Sequence, residues 1–150
     1  MTITSTKSWK NYIMLCNTLE RNDISFESND KELCVKCGIS GRDIEQNFLF
    51  SINPSKMLIT LFSPIPINIS EGNTTDIAIA VCIINNKLPD GCFCIDTNEG
   101  FIYFKMTTSF YESNVSERVF EYILSSAADS IDEYYPKIQK LAERASLNYT

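Results

Sequence analysis

The chain has no histidine in its 150 residues. That absence removes the commonest general base, the usual partner of a serine or cysteine nucleophile, and the commonest metal ligand together. No GxGxxG, GxxxxGK[ST] or GxSxG occurs either. Neither a phosphate-cradling loop nor a nucleophile elbow is therefore encoded. Basic residues are in deficit: 13 Lys and Arg stand against 19 Asp and Glu, for a net charge of −6. The densest positive stretch, 137–144, is interrupted by Glu143 and by apolar residues. Such a chain repels phosphate backbones and anionic lipid, so neither nucleic acid nor a membrane surface is expected as a partner. Long apolar runs are missing too. The longest, 77–84, is far too short to cross a bilayer. The opening MTITSTKSWKNYIML lacks the apolar core of a signal peptide, and the expected location is cytoplasmic. No enzyme activity and no cofactor are expected.

What remains is an ordinary globular composition, 44% hydrophobic and 21% charged, in a length that suits one domain over 1–150. Four matches to the N-glycosylation pattern, at Asn68, Asn73, Asn114 and Asn148, are read as chance in a chain without a secretory signal.

Hydrophobic spacing gives the elements in order. A first helix is expected over 7–21, with Trp9, Tyr12, Ile13, Cys16 and Leu19 as its apolar stripe. Ser5 or Thr6 is the expected cap, with a stop at Asn22-Asp23. Strands follow at 24–26 and 33–37 around a turn at Asn29-Asp30, and at 48–53, where Phe48, Phe50 and Ile52 share a face. The strand 57–62 should end at Pro64-Ile65-Pro66, since prolines donate no ladder hydrogen bond.

The segment 73–88 reads either as a buried strand or as a helix. Asn73 as N-cap, Asp76 at the positive end of the dipole, Ala78 and Ala80, and the length all favour the helix. Turns at Pro89-Asp90-Gly91 and Asn98-Glu99-Gly100 bound a hairpin of 92–96 with 101–107, where Phe101, Tyr103 and Lys105 alternate with Ile102, Phe104 and Met106. The last helix is expected to start at Asn114 with Glu117 completing a capping box. Its stripe is Val115, Val119, Ile123, Ala127 and Ile131, widened by Phe120, Leu124 and Ala128. A kink or break is expected near 133–135 from Pro136, after which Ile138, Leu141, Ala142 and Ala145 continue the stripe. The sum is an α+β domain of order α-β-β-β-β-α-β-β-α. Its antiparallel sheet has about five to six strands, with three helices covering one face, or two covering it and one lying at an edge.

Candidate site residues are few. Cys34, Cys37, Cys92 and Cys94 together would offer four thiolates to zinc. Residues 34 and 37 of a strand point to opposite faces, however, and free cysteine is among the most buried residue types. Reduced structural cysteines are therefore the plain reading and the metal site the alternative. The acidic groups Asp129, Asp132 and Glu133, and Asp90, Asp96 and Glu99, read as a solvated helix face and as turn chemistry. The apolar block Ile77, Ile79, Val81, Ile83 and Ile84 offers more surface than one sheet face needs. A second subunit would cover the excess, so these five are the candidate partner or dimer interface and a homodimer is expected. Aromatics crowd the C-terminal third, and any left exposed beside 73–88 or 138–145 would extend such a patch.

The stretch 61–110 resembles the YbjN-like family of bacterial sensory-transduction regulators. The resemblance lies in SPIP (63–66), VCIINNKL (81–88), DGCFCID (90–96) and FIYFKMTTSF (101–110). It implies a fold like that of type III secretion chaperones, often dimeric. It further implies a non-enzymatic module that binds an unidentified protein partner and carries no catalytic residues. The alternative function is sensing of a small ligand or metal, through the cysteines or a pocket beneath the central helix.

Overall fold

The computed structural model describes residues 3–147, with side chains over 6–144. Nine elements follow one another among the described residues: α1 (Ile3–Arg21), β1 (Phe26–Asn29), β2 (Cys34–Ser40), β3 (Glu45–Asn53), β4 (Leu58–Asn68), α2 (Thr74–Lys87), β5 (Cys92–Asp96), β6 (Phe101–Ser109) and α3 (Glu117–Leu147). The expected order holds. The strands form one six-stranded antiparallel sheet, β1-β2-β3-β4-β6-β5, so α2 is the crossover that lets β6 return beside β4 and leaves β5 at the edge.

Strand periodicity sorts side chains to two faces. Val35, Phe48, Phe50, Ile52, Ile59, Leu61, Ile65, Ile67, Ile102, Phe104 and Met106 are buried on one face. There they meet Ile77, Val81 and Ile84 of α2 and Phe120, Ile123, Ala127, Ile131 and Ile138 of α3. Edge-on aromatic pairs set this packing: Phe50 with Phe120, and Phe93 with Phe104 and Tyr134.

Several expectations need correction. α1 begins at Ile3, so Ser5 and Thr6 lie inside the helix and do not cap it. Its buried stripe is rotated from the expected one. Ser8, Asn11, Tyr12, Leu15, Thr18 and Leu19 face inward, whereas Trp9 and Ile13 are exposed. Polar residues can occupy that face because each satisfies itself locally: Thr18 Oγ1 donates to the Met14 carbonyl, and Asn11 Nδ2 to the Lys7 carbonyl. Asn11 Oδ1 also accepts from the Val115 backbone N–H at 2.8 Å, which ties α1 to the entry of α3.

β4 does not stop at the prolines. It runs to Asn68, with Pro64 opposite Tyr103 and Ile65 opposite Ile102. Pairing between β3 and β4 ends at Leu49↔Phe62, so the later half of β4 borders no strand on that side. Two prolines spaced by two direct their missing donors to the same edge, the vacated one, and the β6 ladder is spared.

α2 starts as expected, but Asn73 makes no side-chain cap. Its amide holds the preceding loop, accepting from Ser70 N–H and donating to the Asn68 carbonyl. α3 is capped by Ser116, whose Oγ accepts from Val119 N–H, and not by Asn114. Val119 is exposed. Helical structure continues through Pro136 without the break the proline suggested. Asn148 lies outside the described residues, as does the side chain of Ala145.

Candidate functional site: a groove, an apolar helix face and a cysteine pair

Three surface features offer chemistry, and each grows out of strand or helix period. The first lies where β3 and β4 part. Beyond Leu49↔Phe62 the two strands make no ladder pairs. Beside the gap lies a groove of about 580 Å³ that runs across β1 to β4, bordered by Phe26, Glu27, Lys36, Gly38, Leu49, Phe62 and Pro64. Its walls are mainly apolar, and the prolines leave β4 without donors along this edge. At Gly38 an added Cβ would meet only Asn47 Oδ1 at 3.5 Å and the Gln46 carbonyl at 3.6 Å, which is ordinary contact. Glycine there keeps the groove floor low.

The second feature is the outer face of α2. The five residues of the apolar block divide between two sides of the helix. Ile77, Val81 and Ile84 are buried in the chain's own core. Ile79 and Ile83, one turn apart, are 56% and 54% exposed. Cys82, next to Ile83, is also exposed. The inner face is held down by Asn85, whose Oδ1 accepts from Phe93 N–H at 2.8 Å and whose Nδ2 donates to the Phe93 carbonyl at 2.9 Å. One side-chain amide thus imitates a neighbouring strand and closes the free edge of β5 at Phe93, near its start.

The third feature is the sheet face opposite the helices. Phe62, Phe101 and Tyr103 form a cluster there, with ring centroids 4.9 Å (Phe62–Tyr103), 5.6 Å (Phe101–Tyr103) and 6.4 Å (Phe62–Phe101) apart. The expected aromatic patch was placed beside the helices, yet Ile138 and Ala142 are buried and the cluster sits on the other side. β6 carried the signal. Apolar residues occupy both parities, whereas a sheet covered on one side needs only one. Next to Tyr103, across the β5–β6 ladder, Cys94 lies on the same face as Cys92, with their sulfurs 3.5 Å apart. Cys94 and Cys92 also hold the Tyr103 phenol above its ordinary pKa, Cys94 chiefly.

The four cysteines weighed as a zinc set do not converge. Cys34 and Cys37 are on β2 and Cys92 and Cys94 on β5, with β3, β4 and β6 between them. At about 4.8 Å per strand the two pairs are separated by roughly 19 Å. Cys37 is buried on the helix side, and that burial pushes its thiol up to about 11. Among the described residues no group of three or more Cys, Asp or Glu is placed to hold a metal.

Two of the acidic residues are engaged in a turn and in a link between elements. Asp96 Oδ1 accepts from Asn98 and Glu99 N–H, and Asp132 Oδ1 accepts from Arg42 N–H and Gln46 Nε2. A cleft of about 300 Å³ between the end of α2 and α3 is bordered by Leu88, Tyr122, Ser126, Asp129, Glu133 and Tyr134. It lacks the apolar lining of the groove. No described helix is long and apolar enough to cross a membrane.

No family profile matches the chain, and no curated protein matches it by sequence. Solved structures do match. A chain of the ExsC–ExsE complex aligns with a TM-score of 0.62 at 16% identity, over 95% of this chain and 97% of that one. YbjN from E. coli aligns at 0.59 and 11% identity, over 84% of this chain and 92% of its own. The type III secretion chaperone SycH of Yersinia pestis, solved with a stable fragment of YscM2, aligns at 0.52 and 12%, over 79% and 94%. The fold is that of YbjN and the type III secretion chaperones. A chain of the HopA1–SchA chaperone–effector complex matches as well, with a TM-score of 0.60 at 8% identity. At such identities the likeness is one of fold alone.

Proposed function

We propose that this chain is a non-enzymatic, cytoplasmic protein-binding module of the chaperone-like kind. In this reading it receives an extended segment of a protein partner in the groove across β1 to β4. The observation that carries the reading is the groove itself: an apolar slot of about 580 Å³, one wall of which is a strand edge released from its neighbour. The released edge of β4 keeps carbonyl acceptors but lacks the donors of Pro64 and Pro66, so an extended peptide would be held chiefly by the apolar walls, with main-chain hydrogen bonds limited to those carbonyls. Support by analogy comes from structural neighbours solved together with protein partners.

The module acts as a homodimer that meets through the outer face of α2. Ile79 and Ile83 are the residues that call for a cover. With just over half of each still exposed, covering them by the second copy would be worth about 1–1.5 kcal/mol apiece. Sedimentation velocity reads this part directly. A dimer is expected, and Ile79→Asp with Ile83→Asp should give a monomer with an unchanged circular dichroism spectrum. A wild-type monomer at high micromolar concentration would end the dimer reading. For the groove the test is capture of a partner by the wild-type protein and its loss from a Gly38→Trp variant, in which the indole fills the slot.

A further inference from the structure

The cysteine pair on β5 belongs to neither surface used above. It stands on the uncovered face of the sheet, where strand period brings Cys92 and Cys94 to the same side and sets their sulfurs 3.5 Å apart. Both are partly exposed, so an ion can reach them from solvent. We propose that Cys92 and Cys94 form a two-thiolate site for a soft monovalent cation, Cu(I).

The geometry allows shared ligation. With a metal–sulfur bond of about 2.3 Å, two sulfurs at that spacing reach a common ion about 1.5 Å from their midpoint. The angle at the metal is then about 100°, and small side-chain rotations open it further. Thiolates are soft ligands and select Cu(I), Zn(II) or iron–sulfur clusters. A closed zinc site needs four protein ligands, and among the described residues no third cysteine or carboxylate joins this pair. Asp96, next on the same face, already accepts two turn N–H groups. Low coordination number suits Cu(I), and the third position is left to solvent or an external ligand.

Charge points the same way. Two thiolates on one monovalent cation make a complex of net charge −1, and Lys105, paired with Cys92 across the ladder, faces it with a positive charge. Burial and the neighbouring Cys94 hold the Cys92 thiol above its ordinary pKa, and Lys105 opposes that rise only in part. Tyr103, paired with Cys94 across the ladder, places an aromatic ring beside the pair on the same face. Binding is not a redox step: two S–Cu bonds form as two S–H protons pass to solvent, and copper stays in the +1 state. A disulfide is the poorer outcome for this pair. Residues two apart on a strand have Cα atoms about 6.8 Å apart, at the far limit for that bond.

The test is an anaerobic Cu(I) titration of the full chain against bicinchoninate, with a non-thiol reductant. One Cu(I) per chain should be taken from the chelator. Cys92→Ser and Cys94→Ser should each weaken retention by about 100-fold or more, since even outer-shell changes cost metal sites 10–100-fold. Cys34→Ser and Cys82→Ser should leave it unchanged. Alkylation of the wild-type protein, mapped by mass spectrometry, provides a reading without variants: Cu(I) should protect Cys92 and Cys94 and spare the labelling of Cys82. Failure of the wild type to compete, retention in the Cys92→Ser/Cys94→Ser double variant, or protection at Cys82 instead would overturn the site. None of these readouts depends on a protein partner or on dimerisation.

Discussion

Asn85→Ala isolates one side chain that holds two elements together. Asn85 makes two hydrogen bonds to Phe93, one to its N–H and one to its carbonyl, at 2.8 and 2.9 Å. Phe93 is only 2% exposed. A neutral hydrogen bond contributes about 0.5–1.5 kcal/mol net, and orphaning buried partners costs more than losing the bond alone. The pair together predicts a loss of about 2–3 kcal/mol. At this chain length that corresponds to a melting point lower by roughly 4–12 °C. Urea unfolding and calorimetry read the loss, and amide exchange locates it: the Phe93 N–H should exchange far faster while Phe104 N–H in β6 keeps its protection. Asn85→Asp should not rescue, because it keeps the acceptor for Phe93 N–H but sets a carboxylate against the Phe93 carbonyl. A change below about 0.5 kcal/mol, within the range of neutral surface substitutions, would refute the reasoning, as would unaltered exchange at Phe93.

Other perturbations test the rest of the packing. Phe104→Ala removes a fully buried ring stacked edge-on against Phe93 and should cost about 3–5 kcal/mol in urea unfolding. Gly41→Ala should destabilise by about 1–3 kcal/mol, because its Cβ would fall 2.6 Å from the Ile44 carbonyl and 2.7 Å from Gln46 Nε2. The buried Cys37 thiol, raised to about 11, ionises later in the folded than in the unfolded chain. Its contribution is therefore complete below the unfolded thiol pKa and is lost as pH rises toward 11, by up to about 1.4 kcal/mol per pH unit. Urea midpoints should fall above about pH 9, and Cys37→Ala should flatten that fall.

Much of this architecture is written in local spacing. The nine-element order could be read because turn tripeptides such as Asn98-Glu99-Gly100 and the alternation of Phe48, Phe50 and Ile52 are short-range signals. What failed needed tertiary knowledge. Prolines at 64 and 66 look like a stop until β3 is known to leave β4 at Leu49↔Phe62, which makes that side an edge where proline is permitted. The α1 stripe was rotated because Trp9 and Ile13 outweigh Ser8, Asn11 and Thr18 on any hydrophobicity scale, whereas burial followed the hydrogen bonds those polar side chains make. The block at 77–84 was recognised as having excess apolar surface, and the helix placed that excess on Ile79 and Ile83. Nothing in one sequence reveals the groove, since its walls come from four strands, β1 to β4, brought together by the sheet order. The Cys92–Cys94 spacing was visible, but that no other cysteine joins it follows from the strand order.

The protein-binding account is tested most directly by capture from native extract with two baits of equal stability, wild type and Gly38→Trp. One protein should be retained in stoichiometric amount by the wild type and lost from the variant, with the melting points of both baits measured to establish equal stability; at Gly38 an added Cβ itself meets nothing closer than 3.5 Å. Equal retention by both baits, or no protein selectively held by the wild type, would contradict it.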